Sequence, residues 1–366
     1  MKFSECVEIV GSKPSRYQGI KQYVSTGALD SDHIDENSIE EYAYDDRPSR
    51  ADLVAEAGNV LFAKMAETKK TLVINNQNEK YLFSTGFFAV KPKKNVLTTE
   101  CLYYLLNSNT FLSQKDKYSS GATQKAISNA SLEKIIVNIP CFSKQEDIVK
   151  QLDKLSNIIK KTRKQLLNFD LLIKSRFIEM FGDPVTNDKD WNTQTVEACC
   201  DTIYGGGTPS KSHAEYYLGK IPWVSSKDMK NDYILDSQDH ITEDAVKNST
   251  AKMVPVNSVI MVIRSGILKH TLPVAVNKVP ITVNQDLKVF IPKKDINPVF
   301  FARQFKMLEK DILSGVRAVT ADNIEFNSLK NRTIPVPPLE LQQQFATFVQ
   351  QIDKSKFENN IMEVAA

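Results

Sequence analysis

Residues Ser131–Leu155 read SLEKIIVNIPCFSKQEDIVKQLDKL, and Ser328–Ile352 read SLKNRTIPVPPLELQQQFATFVQQI. Both stretches open on Ser-Leu and carry a proline (Pro140, Pro337) and then a glutamine (Gln145, Gln342). Ile148, Leu152 and Leu155 return as Phe345, Val349 and Ile352, at a constant offset of 197 positions. A fainter echo joins Gly11-Ser-Lys-Pro-Ser15 to Gly206-Gly-Thr-Pro-Ser210, and Pro92-Lys-Lys94 to Pro292-Lys-Lys294. The order is therefore globule, helix, globule, helix. Two copies of one unit in a single chain suit a device that contacts two places on one partner at a set separation.

The stretch from Gln145 to Phe181 predicts one long helix. Its apolar positions Ile148, Leu152, Leu155, Ile159, Leu166, Phe169, Ile173, Phe177 and Met180 recur at the gaps of a coiled-coil seam, broken chiefly at Thr162. At about 1.5 Å per residue it would be roughly 55 Å long, and a helix of that length needs a partner along it. The second copy supplies one, with Leu341, Phe345, Phe348, Val349 and Ile352 and a weaker tail at Phe357 and Ile361. The expected arrangement is an antiparallel pair. Prolines at Pro140 and Pro337-Pro338 mark the two starts, since proline lacks a donor that a first turn leaves unpaired anyway. Gly182-Asp-Pro184 closes the first helix.

At 366 residues the chain suits two domains, and 42% hydrophobic with 25% charged residues is ordinary globular composition. A net charge of +3 means that a nucleic-acid function must rest on where the charges lie. Five cysteines without a C-x-x-C pair argue against a disulfide framework or a thiolate zinc site, which suggests a reducing, cytoplasmic setting. Met1-Lys-Phe-Ser-Glu-Cys6 has no apolar h-region, and no run of apolar residues is long enough to span a membrane, so a chain neither secreted nor membrane-spanning is expected.

Each globule reads as α+β. Strands are expected at Asn59–Ala63, Gly86–Val90, Ser258–Ile263 and Leu287–Ile291, and helices at Thr98–Leu106 and Pro298–Phe305. The boundaries fall at 1–142 for the first globule, 143–182 for the central helix, 183–338 for the second globule and 339–366 for the C-terminal helix.

Catalytic signatures fail on inspection. Gly205-Gly-Gly-Thr-Pro-Ser-Lys-Ser212 superficially resembles a phosphate loop, but Ser210 stands where glycine is needed and Pro209 removes a backbone N–H; a glycine-rich connection is the simpler reading. His33, His213, His240 and His270 are scattered without metal-ligand spacing, so neither a metal nor a catalytic set is expected. Basic side chains near apolar strands are the candidates for nucleic-acid contact. In the first globule these are Lys13, Arg16, Lys21, Arg47, Arg50, Lys64, Lys69 and Lys70. In the second they are Lys211, Lys227, Lys230, Arg264, Lys269, His270 and Arg317. Arginine can read guanine with two bonds, whereas lysine mostly neutralises phosphate. Lys160, Lys161, Arg163 and Lys164 add a basic patch on the long helix.

Several local texts, in order along nearly the whole chain, resemble the specificity subunits of type I restriction-modification systems. They are Gly121-Ala-Thr-Gln-Lys-Ala-Ile127, Arg176-Phe-Ile-Glu-Met-Phe-Gly-Asp-Pro184, Gly219-Lys-Ile-Pro-Trp-Val-Ser225, Arg264-Ser-Gly-Ile-Leu268, Val283-Asn-Gln-Asp-Leu-Lys288 and Ile334-Pro-Val-Pro-Pro-Leu-Glu340. The resemblance implies two target recognition domains, each reading half of a split DNA sequence. It also implies two spacer helices, packed antiparallel in a pseudo-two-fold repeat, that set the gap between the halves. It implies a chain without catalysis or cofactor of its own. Two modification subunits would use S-adenosylmethionine to methylate adenine, and restriction subunits would use ATP and Mg. A lead-in at Asp183–Asn192 has no counterpart before Phe3, and the C-terminal helix is the briefer one. Both features fit either a circularly shifted repeat or a gene built from exchangeable half cassettes. Two other functions suit the same text: a non-catalytic coiled-coil adaptor that binds proteins, and a specificity subunit of a methylation-only or fused-type system.

Overall fold

The computed structural model describes residues 1–315 and 323–356 with their side chains, and the backbone alone at 317–318, 322 and 357–365. The chain divides into two units, Met1–Ile158 and Ile159–Ala366.

In the first unit a four-stranded antiparallel sheet has the order β1-β7-β4-β5, where β1 is Val7–Val10, β4 is Val60–Ala63, β5 is Thr71–Val73 and β7 is Phe87–Pro92. Its register sets Val7 against Pro92 and Val60 against Val90. A smaller sheet has the order β3-β2-β6, with β2 at Ile20–Val24, β3 at Glu40–Ala43 and β6 at Leu82–Phe83; β2 runs parallel to β6 and antiparallel to β3. β4 is buried along its whole length, and so are Phe87–Val90 of β7, which is why these segments read as continuous apolar runs rather than alternations. Phe3, Phe62 and Phe111 interlock in the core below, with ring centroids 5.0 to 6.4 Å apart. Helices α1 (Thr99–Asn107) and α2 (Asn109–Lys117) close over them, and each starts on a hydroxyl cap, from Thr98 and from Ser108.

The second unit repeats this plan. Its main sheet has the order β8-β15-β12-β13-β10, with β8 at Cys200–Gly205, β10 at Tyr233–Ile234, β12 at Val259–Val262, β13 at Val274–Asn277 and β15 at Leu287–Pro292. The first four positions match β1-β7-β4-β5, and β10 is an added edge strand running parallel to β13. The small sheet, β11-β9-β14, joins β9 (Ile221–Val224) to β11 (His240–Ile241) antiparallel and to β14 (Thr282–Val283) parallel, as in the first unit.

The expected long helix runs from Phe142 to Phe181 (α3), and the C-terminal one from Leu339 to Ala365. Between them the globule supplies α4 (Pro298–Met307), capped by Asn297, so the C-terminal helix is α5. Within the second unit, Ile173, Phe177 and Phe181 of α3 pack on Val299 and Phe300 of α4 and on Phe345, Ala346 and Val349 of α5. Phe177 stacks on Phe300 at 5.7 Å and meets Phe345 edge-on at 5.5 Å. Asp170 pairs with Lys356 while Phe181 meets Phe345, so the two helices run antiparallel here. Phe348 and Ile352 are partly buried in the same cluster.

Three details of the seam differ from the sequence expectation. Thr162, read as a break, is 3% exposed. Leu155, read as a seam residue, is 37% exposed, and Val149 takes the inward place beside it in the core of the first unit. Ile148, Leu152, Ile159, Leu166 and Phe169 are half-buried. The side chains of Phe357 and Ile361 lie outside the described residues.

Candidate nucleic-acid interface

In the first unit the turn after β3 gathers cations around two tyrosines. The Tyr17 and Tyr44 rings meet edge-on at 5.3 Å. The Arg47 guanidinium lies 3.9 Å from the Tyr44 ring and the Lys21 ammonium 5.1 Å from the Tyr17 ring. Arg47 also donates to the Tyr44 and Ala51 carbonyls and to Asp52, so its fork is spent on holding the turn. Lys13 and Arg16 are different. Lys13 is 85% exposed and 3.4 Å from Asp52, and Arg16 is 76% exposed and 2.7 Å from Asp45. Exposed pairs of this kind contribute at most about 1 kcal/mol, so either cation can exchange its carboxylate for a phosphate. An open cleft of about 460 Å³ is lined by Lys13, Tyr44, Asp45, Arg47, Pro48, Ser49 and Asp52.

A second cluster forms where the central strand of each main sheet ends. After β4, Met65 bridges Ala126, the Ile127 N–H donates to the Lys64 carbonyl at 2.9 Å, and the loop from Ser120 to Ala126 closes on itself. After β12, Arg264 bridges Asn323, the Ile324 N–H donates to the Ile263 carbonyl at 2.9 Å, and Arg317–Ala318 pairs with Asp322–Asn323. The crossing is the same in both units, but the side chains it presents are not. The first offers exposed Gln124 and Lys125, and the second offers Arg264, with Lys269 and His270 exposed on the adjoining turn. Asp286 holds the Arg264 fork at 2.6 and 2.7 Å and is itself held by Asn284. Gln285 bonds Thr208 beside it. Arg264 is thus held by a buttressed carboxylate and is still half exposed.

The other candidates are dispersed. Lys64 is half-buried 4.4 Å from the Phe88 ring, and burial lowers its ammonium below the usual lysine range. Lys70 donates to the Thr26 carbonyl at 2.7 Å. Arg50, Lys69, Lys211 and Lys227 are exposed. Lys230 lines a cleft of about 530 Å³ with Asp170, Lys174 and Lys306, and so lies beside the helices and away from the strand-end loops. The Arg317 side chain lies outside the described residues. Gln124, Lys125, Gln285 and Asn323 were not among the contact candidates of the sequence; carrying the 197-residue offset upstream, from Ile324 to Ile127, would have found the paired loops.

The glycine-rich motif has a steric explanation. A Cβ at Gly206 would fall 2.0 Å from the Val283 carbonyl oxygen, and one at Gly207 would fall 2.3 Å from the Thr250 hydroxyl. These glycines let the chain cross two backbones at close range. Among the described residues no group of three or more His, Cys, Asp or Glu is placed to hold a metal ion, and no helix is long and apolar enough to cross a membrane.

The crystal structure of a type I restriction-modification S subunit from M. genitalium superposes with a TM-score of 0.59 at 12% identity, covering 100% of this chain and 91% of that one. It shares the fold. The chain is 32% identical over 267 residues to the EcoR124I/EcoR124II type I restriction enzyme specificity subunit of Escherichia coli, covering 69% of this chain and 62% of that protein. It is 34% identical over 190 residues to the MjaIX specificity subunit of Methanocaldococcus jannaschii, covering 49% of this chain and 42% of that protein. The match thus spans less than two thirds of either relative's length. The model of the type I restriction modification DNA specificity domain matches residues 15–168 and again 188–364, one match for each copy of the repeat, and the chain belongs to that family.

Proposed function

We propose that this chain reads a split DNA sequence, one half with each globule, and directs the methyltransferase and restriction subunits of a type I complex to it. The observation that carries this reading is the pair of strand-end loop crossings. The backbone arrangement at Met65 and Ala126 recurs at Arg264 and Asn323, while the exposed side chains on it differ. A shared scaffold with dissimilar contact faces suits two unlike half-sites. Lys13 and Arg16 supply phosphate contacts at the first half-site, and Arg264, Lys269 and His270 supply base and phosphate contacts at the second.

In this reading the chain is not an enzyme. Chemistry belongs to two modification subunits that use S-adenosylmethionine to methylate adenine, and to restriction subunits that use ATP and Mg, all in the cytoplasm. Exposed Leu167, Leu171 and Leu172 on α3, 45% to 66% exposed, form an apolar surface suited to a modification subunit. The test is a genome-wide map of methylated adenines in cells with and without the gene. The expected result is one split motif that vanishes with the gene; a methylation pattern independent of the gene would contradict the proposal.

A further inference from the structure

We infer that Gln145 and Gln342 are positioning residues: each locks its globule at one fixed angle onto the first turns of its own helix, and so confines recognition to one spacing between half-sites. The inference rests on the DNA-reading function proposed above.

Both side chains are wholly buried. Gln145 Oε1 accepts from the Thr98 N–H at 2.9 Å, and its Nε2 donates to the carbonyls of Val96 at 2.8 Å and Pro140 at 3.1 Å. Gln342 Oε1 accepts from the Asn297 N–H at 2.8 Å, and its Nε2 donates to the carbonyls of Pro337 at 2.8 Å and Asp295 at 3.3 Å. The partners are equivalent one for one. Thr98 and Asn297 cap α1 and α4, Val96 and Asp295 stand two residues before those caps, and Pro140 and Pro337 precede the long helices. One amide thus ties the start of a globule helix to the start of a long helix, with both of its donor hydrogens and its acceptor engaged.

The other polar contacts of each attachment differ. On the first globule Tyr104 bonds Asp153 of α3 at 2.6 Å, whereas on the second Arg303 lies 4.0 Å from Asp353 of α5 and pairs with Asp232. The amide clamp is the polar contact common to both copies. An apolar side chain of similar volume would fill the space but leave the angle free, because packing is non-directional and hydrogen bonds are not.

The test compares wild type with Gln145→Leu, Gln342→Leu and the unbranched Gln145→Met and Gln342→Met in cells carrying the complete set of subunits, and maps methylated sites. The methionines follow the length of the glutamine side chain and bury no charge, so they cover the case in which a leucine variant does not accumulate. The expected result is unchanged half-sites, with sites whose gap is one base pair longer or shorter methylated roughly tenfold above the wild-type level, the scale of one lost buried hydrogen-bonding group. A purely structural role would instead lower methylation at all sites without changing the gap. A series in which no variant broadens the gap, whether methylation falls uniformly or stays level, overturns the inference. A wild-type chain that directs no split-motif methylation fails earlier and removes the DNA-reading function along with the clamp.

Discussion

Arg47 and Arg264 are both arginines beside an aspartate, yet the two guanidinium groups are bonded differently. Arg47 spends its donors on two carbonyls and Asp52, and its ring face on Tyr44. Among the described residues Arg264 gives its donors to Asp286, and it stays half exposed. Arg264→Ala is therefore expected to leave the unfolding midpoint nearly unchanged and to relax discrimination at one half-site by about 1–3 kcal/mol, read by titrating duplexes mutated base by base. Arg47→Ala is expected to lower the midpoint, measured by thermal unfolding, because it frees the turn that presents Lys13 and Arg16. Gly206→Ala belongs to the same scale. Its methyl would meet two backbone oxygens, of Val283 and Asn284, neither of which can swing aside. A loss of about 3 kcal/mol or more is expected in urea unfolding.

At the scale of elements, ion pairs flank the apolar contact between the second globule and its long helices, where Arg303 lies 4.0 Å from Asp353. Asp232 pairs with Arg303 and Lys306, and Lys356 joins Asp353 to Asp170. Burial pushes the Asp232 carboxyl up, but Lys306 and Arg303 outweigh it and hold it at about 2, against 3.8 for an ordinary aspartate. A depressed carboxylate stabilises fully above its unfolded value, and that contribution disappears as pH falls from about 4 to about 2. Asp353 acts in the opposite sense: burial raises it, against Arg303, so its protonation on acidification favours the fold. Asp232→Asn should cost about 3 kcal/mol at pH 7, the low end for removing one partner of a buried pair, and should flatten the acid loss between pH 4 and 2 in urea unfolding followed across pH. Phe177→Ala should cost about 3–5 kcal/mol whatever the pH, since its cluster of Phe181, Phe300 and Phe345 is apolar.

These elements were unequally legible. The long helices were plain because their apolar period runs for many turns, and α1 and α4 because each follows a Pro-Lys-Lys element, at Pro92–Lys94 and Pro292–Lys294. Strand existence was legible from continuous apolar runs such as Val259–Val262, but strand order was not, because pairing β12 with both β13 and β15 is decided by contacts remote in sequence. The buried ions were invisible for the same reason: Asp232 and Arg303 stand 71 positions apart. Charge alone also misplaced Lys64 and Lys70, whose ammonium groups serve a ring and a carbonyl inside the first unit.

For the whole molecule, the central claim is that two unlike readers are held apart by helix length. Replacing residues 1–140 with another globule of the family should change one half-site and leave the other intact, checked by methylation mapping of the hybrid. The most direct measurement removes one heptad from α3 between Ile148 and Phe177 and maps methylated sites in cells carrying all subunits. Seven residues at about 1.5 Å each remove roughly 10 Å, or about three base pairs of duplex. The account predicts the same two half-sites with a gap shorter by about that number. A shortened chain that still methylates sites with the original gap would contradict it.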